Sequence, residues 1–234
     1  MTAIETIYAR HATRKFLPDE PVSKEMILEL LEIAGKAASW SNSQPWEAYV
    51  VTGEPLQKMC DVQRELFKDV ATKGVPAANS DIHSPSRDDW GETPRCVENM
   101  VEWSANRVNT SREEFGVDEK QYNIDSFDCG QNHLNYAPAW VILGVHKSLT
   151  PYSYFDLGSF ATTFMLAAKE KGLDTMPAFS PCYDGQKLRT CVDIPEDIVA
   201  VAAIGIGYAD TESYMNKIPT HRQPVELYSH FFGF

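Results

Sequence analysis

The chain has no excess of positive charge. Its 33 acidic residues against 21 lysines and arginines leave a formal net charge of −12 at pH 7. A surface that grips a nucleic-acid backbone or an anionic membrane needs a broad basic stripe, so neither is an expected partner. Long apolar runs are missing as well. Nowhere do 18 or more apolar residues follow one another, so no segment is expected to span a bilayer. The opening MTAIETIYAR lacks a basic stretch followed by an apolar run, hence no export signal is expected. Cysteine is sparse and shows no C-x-x-C pair: Cys60, Cys96, Cys129, Cys182 and Cys191 are scattered. This odd count suits ordinary buried free thiols in a reducing cytoplasm, with no zinc site. His11, His83, His133, His146, His221 and His230 are dispersed too, and none has metal-ligand spacing; His146, directly after an apolar run, is expected to be structural. Also absent are G-x-G-x-x-G after a strand, a Walker A sequence and a G-x-S-x-G elbow. These gaps exclude a Rossmann dinucleotide domain, a P-loop and an α/β-hydrolase nucleophile.

Enough remains to fold. Hydrophobic residues make up 43% of the 234 positions, sufficient for one sizeable core. In VSKEMILELLEIAGKAA, Ile27, Leu30, Leu31 and Ala34 recur at i, i+3, i+4 and i+7, which predicts a helix with Ser23 as N-cap. WEAYVV, Trp46 to Val51, predicts a strand. Pro55 opens a second helix along PLQKMCDVQRELFKDVATKG, with Leu56, Met59, Cys60, Val62, Leu66, Phe67 and Val70 on one side. From Val75 to about Gly130 the chain turns polar and acidic, broken by Pro76, Pro85 and Pro94, with one helical piece, RCVENMVEWSANRV. Its apolar periodicity is too weak to close a core, so it reads as an insertion within a single domain, 1–234. AWVILGV predicts a buried strand and IVAVAAIGIGY a central one. Between them YFDLGSFATTFMLAAKEKG is apolar almost all round and stopped by Gly172, which places this helix deep in the core or at a subunit interface. The incomplete alternation of strands and helices predicts an α+β sheet packed by helices.

Against this acidic background, RHATRKF gathers Arg10, His11, Arg14 and Lys15 into six positions. A polar block, Ser39-Trp40-Ser41-Asn42-Ser43-Gln44-Pro45-Trp46, follows the first expected helix, and Arg222 follows the last expected strand. Clustered guanidiniums suit a dianionic phosphate, which they bind in a bidentate way. Asn and Gln amides donate and accept, so they can read the edge of a polar heterocycle. Either block alone would equally be a solvated surface; together they suit a mononucleotide-like cofactor.

In these stretches, together with FDLGSFATTFMLAAKEKGLDT and the closing IGIGYAD…PTHR, the sequence resembles the FMN-dependent nitroreductase family, over residues 1–70 and about 132–222. The resemblance implies a central mixed or antiparallel sheet packed by helices, an intertwined homodimer, and FMN as cofactor. It implies that Arg10, His11 and Arg14 hold the FMN phosphate and the pyrimidine edge of the flavin. Ala12 has no hydroxyl and would contribute through its backbone, and Lys15 is assigned to solvent. Ser39, Trp40, Ser41 and Asn42 would reach the flavin of the partner subunit. Trp40 stands where a small residue is usual, and either stacks on a substrate or packs at the dimer interface. Asn132 resembles a flavin-contacting Asn, Phe179 and Ser180 fall where backbone amides approach flavin N5, and Arg222 matches a terminal phosphate-binding arginine. Thr220 stands where some relatives have Lys, so the phosphate grip would lean on Arg10 and Arg222.

The chemistry this implies is an NAD(P)H-dependent oxidoreductase. Hydride would pass through flavin N5 to a nitroaromatic or quinone-like acceptor in a ping-pong cycle, with no catalytic side chain. Trp90 and Trp103 of the insertion are candidates for sandwiching a flat acceptor, or for packing. Two other readings stay open: an ene-reductase or reductive dehalogenase on the same FMN site, or a non-catalytic protein that stores or senses flavin.

Overall fold

The computed structural model describes residues 1–74, 79–82 and 94–234; Pro76, His83, Pro85 and Trp90 lie outside the described residues. The helices are α1 (Ala3–Ala9), α2 (Lys24–Ala34), α3 (Gly53–Phe67), α4 (Val70–Lys73), α5 (Pro94–Phe115), α6 (Glu119–Phe127), α7 (Tyr152–Glu170), α8 (Gly185–Cys191) and α9 (Tyr214–Lys217). The strands are β1 (Trp46–Val51), β2 (Ala139–His146), β3 (Asp174–Ala178) and β4 (Ile198–Gly207). They form one sheet in the order β1-β2-β4-β3, every pair antiparallel.

The two central strands are apolar on both faces because helices cover both. Along β2 the alternation divides the core in two. Val141, Leu143 and Val145 join Ile27 and Leu30 of α2 and Phe160 and Phe164 of α7. Trp140 and Ile142 join Phe16, Leu56 and Met59 of α3, and Leu188 of α8. Trp140 is fully buried and pairs with Gly205 across the ladder. A Cβ at Gly205 would lie 2.9 Å from the indole, so glycine is what lets the ring lie flat on β4.

Several expectations hold. The helix behind Ser23 is α2, whose Met26 N–H donates to the Ser23 hydroxyl at 3.1 Å. The strands from Trp46, Ala139 and Ile198 form, the last two central. His146 is tied to Ser148 at 2.7 Å and Asp197 at 3.2 Å.

Others are corrected. The helix expected to run past Val70 stops at Phe67 and resumes as the short α4. Of the two expectations for α7, full burial in the core is corrected: one stripe is buried, including Leu157, Phe160 and Phe164, whereas Phe155 on the other side is 77% exposed, which leaves the subunit-interface alternative. The thiols are not uniformly buried: Cys129 and Cys182 are, Cys60 and Cys191 are half-buried and Cys96 is exposed; all five are free. Burial pushes the Cys129 and Cys182 thiols up to about 12.

Helices α1, α6, α8 and α9 and strand β3 were not anticipated. Thr2 and Glu5 form a reciprocal capping box on α1. Strand β3 contains Pro177, which is tolerated because β3 is the sheet edge. No described helix is long and apolar enough to cross a membrane, and no described His, Cys, Asp and Glu side chains group as metal ligands.

One ion pair fastens the start of the 75–130 segment to the core. Arg189 of α8 grips Asp81 in a bidentate way, Nη1 to Oδ1 at 3.0 Å and Nη2 to Oδ2 at 2.8 Å. The Ala200 N–H donates to the same carboxylate at 2.9 Å. Burial raises the Asp81 pKa, but the hydrogen bonds from Arg189 and Ala200 and the Arg189 charge outweigh it and hold the carboxyl below its ordinary value. A depressed folded-state pKa gives stability that is present above the unfolded pKa of about 3.9 and is lost as pH falls through the folded value. Asp81→Asn is expected to lower the unfolding free energy by about 2 kcal/mol at pH 7 in urea denaturation. The gap from wild type should narrow as pH falls below about 4; a gap independent of pH would exclude the ion pair as its source.

Candidate cofactor site

The basic segment leaves α1 extended, with Arg10 as the C-cap residue. Ala12 forms a parallel bridge to Thr175 of β3, and the Thr13 N–H donates to Thr175 O at 2.9 Å. Side chains from elsewhere then fix the next peptides. Asn216 Oδ1, on α9, accepts the Arg14 N–H at 2.6 Å and the Lys15 N–H at 3.1 Å. Asn135 Nδ2 and the Cys129 thiol donate to Arg14 O at 2.7 and 3.0 Å. The Arg10 and Arg14 side chains therefore stand on an immobilised backbone. Lys15 is not simply solvated, contrary to expectation. The Asp210 N–H donates to Lys15 O, which brings the Asp210 carboxylate to 3.2 Å from Lys15 Nζ.

The arginines around this segment lack counter-charges. The Arg10 pKa is lowered by burial first and by the Arg222 charge second, so these two guanidiniums lie close enough to repel. Among the described residues neither has a carboxylate partner; Arg222 donates only to the carbonyls of His221 and Thr220. Arg14 is depressed to about 10 by burial and then by Arg107, and its buried Nε has no hydrogen-bond partner. Clustered cations without anions are costly to desolvate, and an incoming anion relieves the cost. A cavity of about 570 Å³ opens beside Arg222, between α5 and the C-terminal segment, lined by Asn99, Trp103, Asn106, His221 and Tyr228 among others. His11 is exposed, its Nδ1 3.3 Å from Ala9 O.

The second polar block is built at some energetic cost. Ser41 and Asn42 take the left-handed backbone region at φ 49° and 56°, where a side chain crowds its own carbonyl. The buried Asp156 carboxylate of α7 accepts the Trp40 N–H at 3.0 Å, and Ser39 Oγ accepts the Gln44 N–H at 3.0 Å, which closes the turn. Trp40 is 64% exposed and nearly parallel to Tyr152, centroids 6.3 Å apart. Among the described residues no hydrogen bond or ring contact joins Ser39–Asn42 to Arg10, Arg14 or Arg222 of the same chain.

Phe179 and Ser180 follow β3, with Phe179 exposed and Ser180 O accepting from Gln63 Nε2. Asn132 sits in the π-turn Asp128–Asn132, its amide donating to Asp128 at 2.9 Å. It lines a different depression, with Lys68, Ile124 and Phe127. Sequence reasoning did not single out Asn135, Asp156, Arg107 or Asn216. Only Arg107 had a readable signal, one helical turn after Trp103.

The fold is thus an antiparallel sheet packed by helices, with an arginine cluster that has no carboxylate partner among the described residues. A sequence model of the nitroreductase family matches residues 7–208, and the chain belongs to that family. A 4-nitrobenzoate reductase of Pseudomonas putida is 27% identical over 97% of this chain and 94% of its own length. A nitrobenzene nitroreductase of Ectopseudomonas oleovorans is 29% identical over 97% and 95%. The crystal structure of an FMN and NADPH-dependent nitroreductase from Sphigopyxis sp. strain HMH superimposes with a TM-score of 0.84 at 24% identity, covering all of both chains.

If the arginine pair is an anion site, inorganic phosphate should stabilise the cofactor-free protein more than sodium chloride at equal ionic strength. A hundredfold excess over Kd contributes about 2.7 kcal/mol, readable as a rise in thermal midpoint. The rise should shrink in Arg222→Ala.

Proposed function

We propose that the protein is an FMN-dependent oxidoreductase that uses NAD(P)H to reduce nitroaromatic or quinone-like acceptors. The observation that carries this reading is the set of guanidiniums without counter-charge, Arg10 and Arg222 against each other and Arg14 with an orphaned buried Nε. They fit FMN, whose phosphate is a dianion and whose pyrimidine edge offers acceptors. FMN, when bound, supplies the hydride chemistry at N5, while the protein binds, orients and provides the field. Arg10 and Arg222 take the phosphate. Arg14, with His11 and the Ala12 backbone, meets the pyrimidine edge, where a preorganised cation favours negative charge on the reduced ring. Backbone amides at Phe179 and Ser180 would approach N5. Asn132, whose amide is held by Asp128, is given a flavin contact by the resemblance alone.

No side chain has to serve as nucleophile or obligatory base, so nicotinamide and acceptor can use one face in turn. The names of the 4-nitrobenzoate and nitrobenzene reductases support a nitroaromatic acceptor, and that of the structural relative supports FMN and NADPH. The chain works as one domain, the 75–130 segment adding α5 to its wall. The five free thiols suit the cytoplasm.

A homodimer completes the site, with Ser39, Trp40, Ser41 and Asn42 serving the partner's flavin. Supporting this, α1 exposes Ile4, Ile7 and Tyr8, α7 exposes Phe155, and the C-terminal segment exposes Phe231, Phe232 and Phe234. Apolar surface on that scale marks an interface, and a two-fold pair is the commonest closed arrangement.

The purified protein should be yellow, with about one FMN per chain. Anaerobic NADPH or NADH should bleach it, and 4-nitrobenzoate or nitrobenzene should restore the colour; a flavin that both nucleotides leave oxidised would favour the storage reading. Arg222→Ala should weaken FMN binding by roughly 1.5–3 kcal/mol, about ten- to a hundredfold, in a fluorescence titration. Light scattering at micromolar concentration should give about twice the chain mass; a fully active monomer would remove the cross-subunit role of Ser39–Asn42.

A further inference from the structure

Helix α5 carries two residues that the phosphate grip does not use, Trp103 and Arg107. Arg107 is 4% exposed, one of the few charged side chains buried in the described residues. Its Nε donates to Tyr122 Oη of α6 at 2.7 Å and its Nη2 to Met215 O of α9 at 3.5 Å. Its Cζ lies 5.7 Å from the Trp103 ring centroid, and the Cζ of Arg14 lies 5.4 Å from the same centroid. Two guanidiniums, one from the opening segment and one from the insertion, thus share one indole. Asp125, the carboxylate of this neighbourhood, is taken by Tyr214 Oη at 2.9 Å and by Gln121, and pairs with neither arginine.

A buried cation is ordinarily matched by a carboxylate, because desolvation is otherwise uncompensated. Here π faces and a phenol oxygen stand in its place. Arg14, depressed to about 10, is still charged at neutral pH, so the pair forms a fixed cationic field. We propose that Arg107 is a positioning residue for flavin reduction: through the shared Trp103 ring it holds Arg14 against the pyrimidine edge of FMN and adds a second buried positive charge that favours reduced over oxidised flavin. This rests on the FMN reading above.

The charge balance shows why the arrangement matters. Hydride from NAD(P)H would bring two electrons and one proton and leave one net negative charge on bound FMN, which Arg14 would be placed to meet. Arg107 needs no reorganisation to meet that charge, because Tyr122 and Met215 already fix it.

The test compares FMN-loaded wild type, Arg107→Gln, Arg107→Lys and Tyr122→Phe by midpoint potential and by the affinity for oxidised FMN. Arg107→Gln should keep its FMN stoichiometry and bind oxidised FMN within about threefold of wild type. It should lose about tenfold in preference for reduced over oxidised flavin, which for a two-electron couple is about 30 mV in potential. Arg107→Lys should recover most of the shift. Tyr122→Phe removes only the acceptor of the Arg107 Nε–H, so it should move the potential the same way by less, and it decides the matter if the Gln variant does not fold. An unchanged potential in FMN-loaded Arg107→Gln, or in Tyr122→Phe where that is the folded variant, overturns the proposal, as does a shift that lysine fails to rescue. Wild type that binds no FMN would instead overturn the functional reading beneath it.

Discussion

The peptide of Arg14 is held from three directions, and the site depends on that grip. Its N–H goes to Asn216, and its carbonyl receives Asn135 and Cys129. These partners come from the C-terminal helix α9, the turn before β2 and the π-turn after α6, so three distant stretches converge on one backbone unit. The turn before β2 bears strain to get there: Leu134, Asn135 and Tyr136 all have positive φ. Strain of this kind persists only where the surroundings over-determine it. Trp140 Nε1 donating to Leu134 O, with the indole seated on Gly205, is part of what does so.

A rigid backbone matters because the side chains it carries repel one another. Left alone, Arg10, Arg14, Arg107 and Arg222 would spread apart or recruit carboxylates, and the sequence has 33 acidic residues to offer. Three of the acids around the core are engaged elsewhere. Asp81 holds Arg189, Asp210 holds Lys15, and Asp125 is taken by Tyr214. These pairings leave the arginine cluster as a cationic hole in a protein of net charge −12. Such a hole costs stability when empty and returns it when an anion binds.

Much of this was legible in the sequence, for definite reasons. Ser23 with Ile27, Leu30 and Ala34 marks α2, because capping and a 3.6-residue period are local properties. The buried strands at Ala139 and Ile198 are equally plain. The Arg10, Arg14 and Arg222 set stood out because clustered arginines are unusual in so acidic a chain. Strand β3 escaped because Pro177 argues against a strand unless its edge position is known, which is tertiary information. The role of Asn216 escaped for the same reason: a lone Asn in a loop-like stretch has no pattern, and its value lies in reaching residues 14 and 15. The Trp103–Arg107 pair was half visible, as two residues one turn apart whose common neighbour, Arg14, lies some ninety positions away. Cross-subunit roles for Ser39–Asn42 leave even less trace, since the contacts of the block among the described residues run to Asp156, Tyr152 and its own turn, not to the arginine cluster.

The cationic opening also bears on how a charged molecule would arrive. A dianion approaching from afar meets the field of a chain with net charge −12, and that field is repulsive. Both that repulsion and any attraction from Arg10 and Arg222 are screened beyond about a Debye length, roughly 8 Å at physiological ionic strength. On the proposed reading, an anion arriving at low salt would cross a repulsive field before reaching the arginines, and moderate salt would lower that barrier before it weakened the short-range grip. Association should accelerate as salt is first added and slow only later, the reverse of ordinary electrostatic steering.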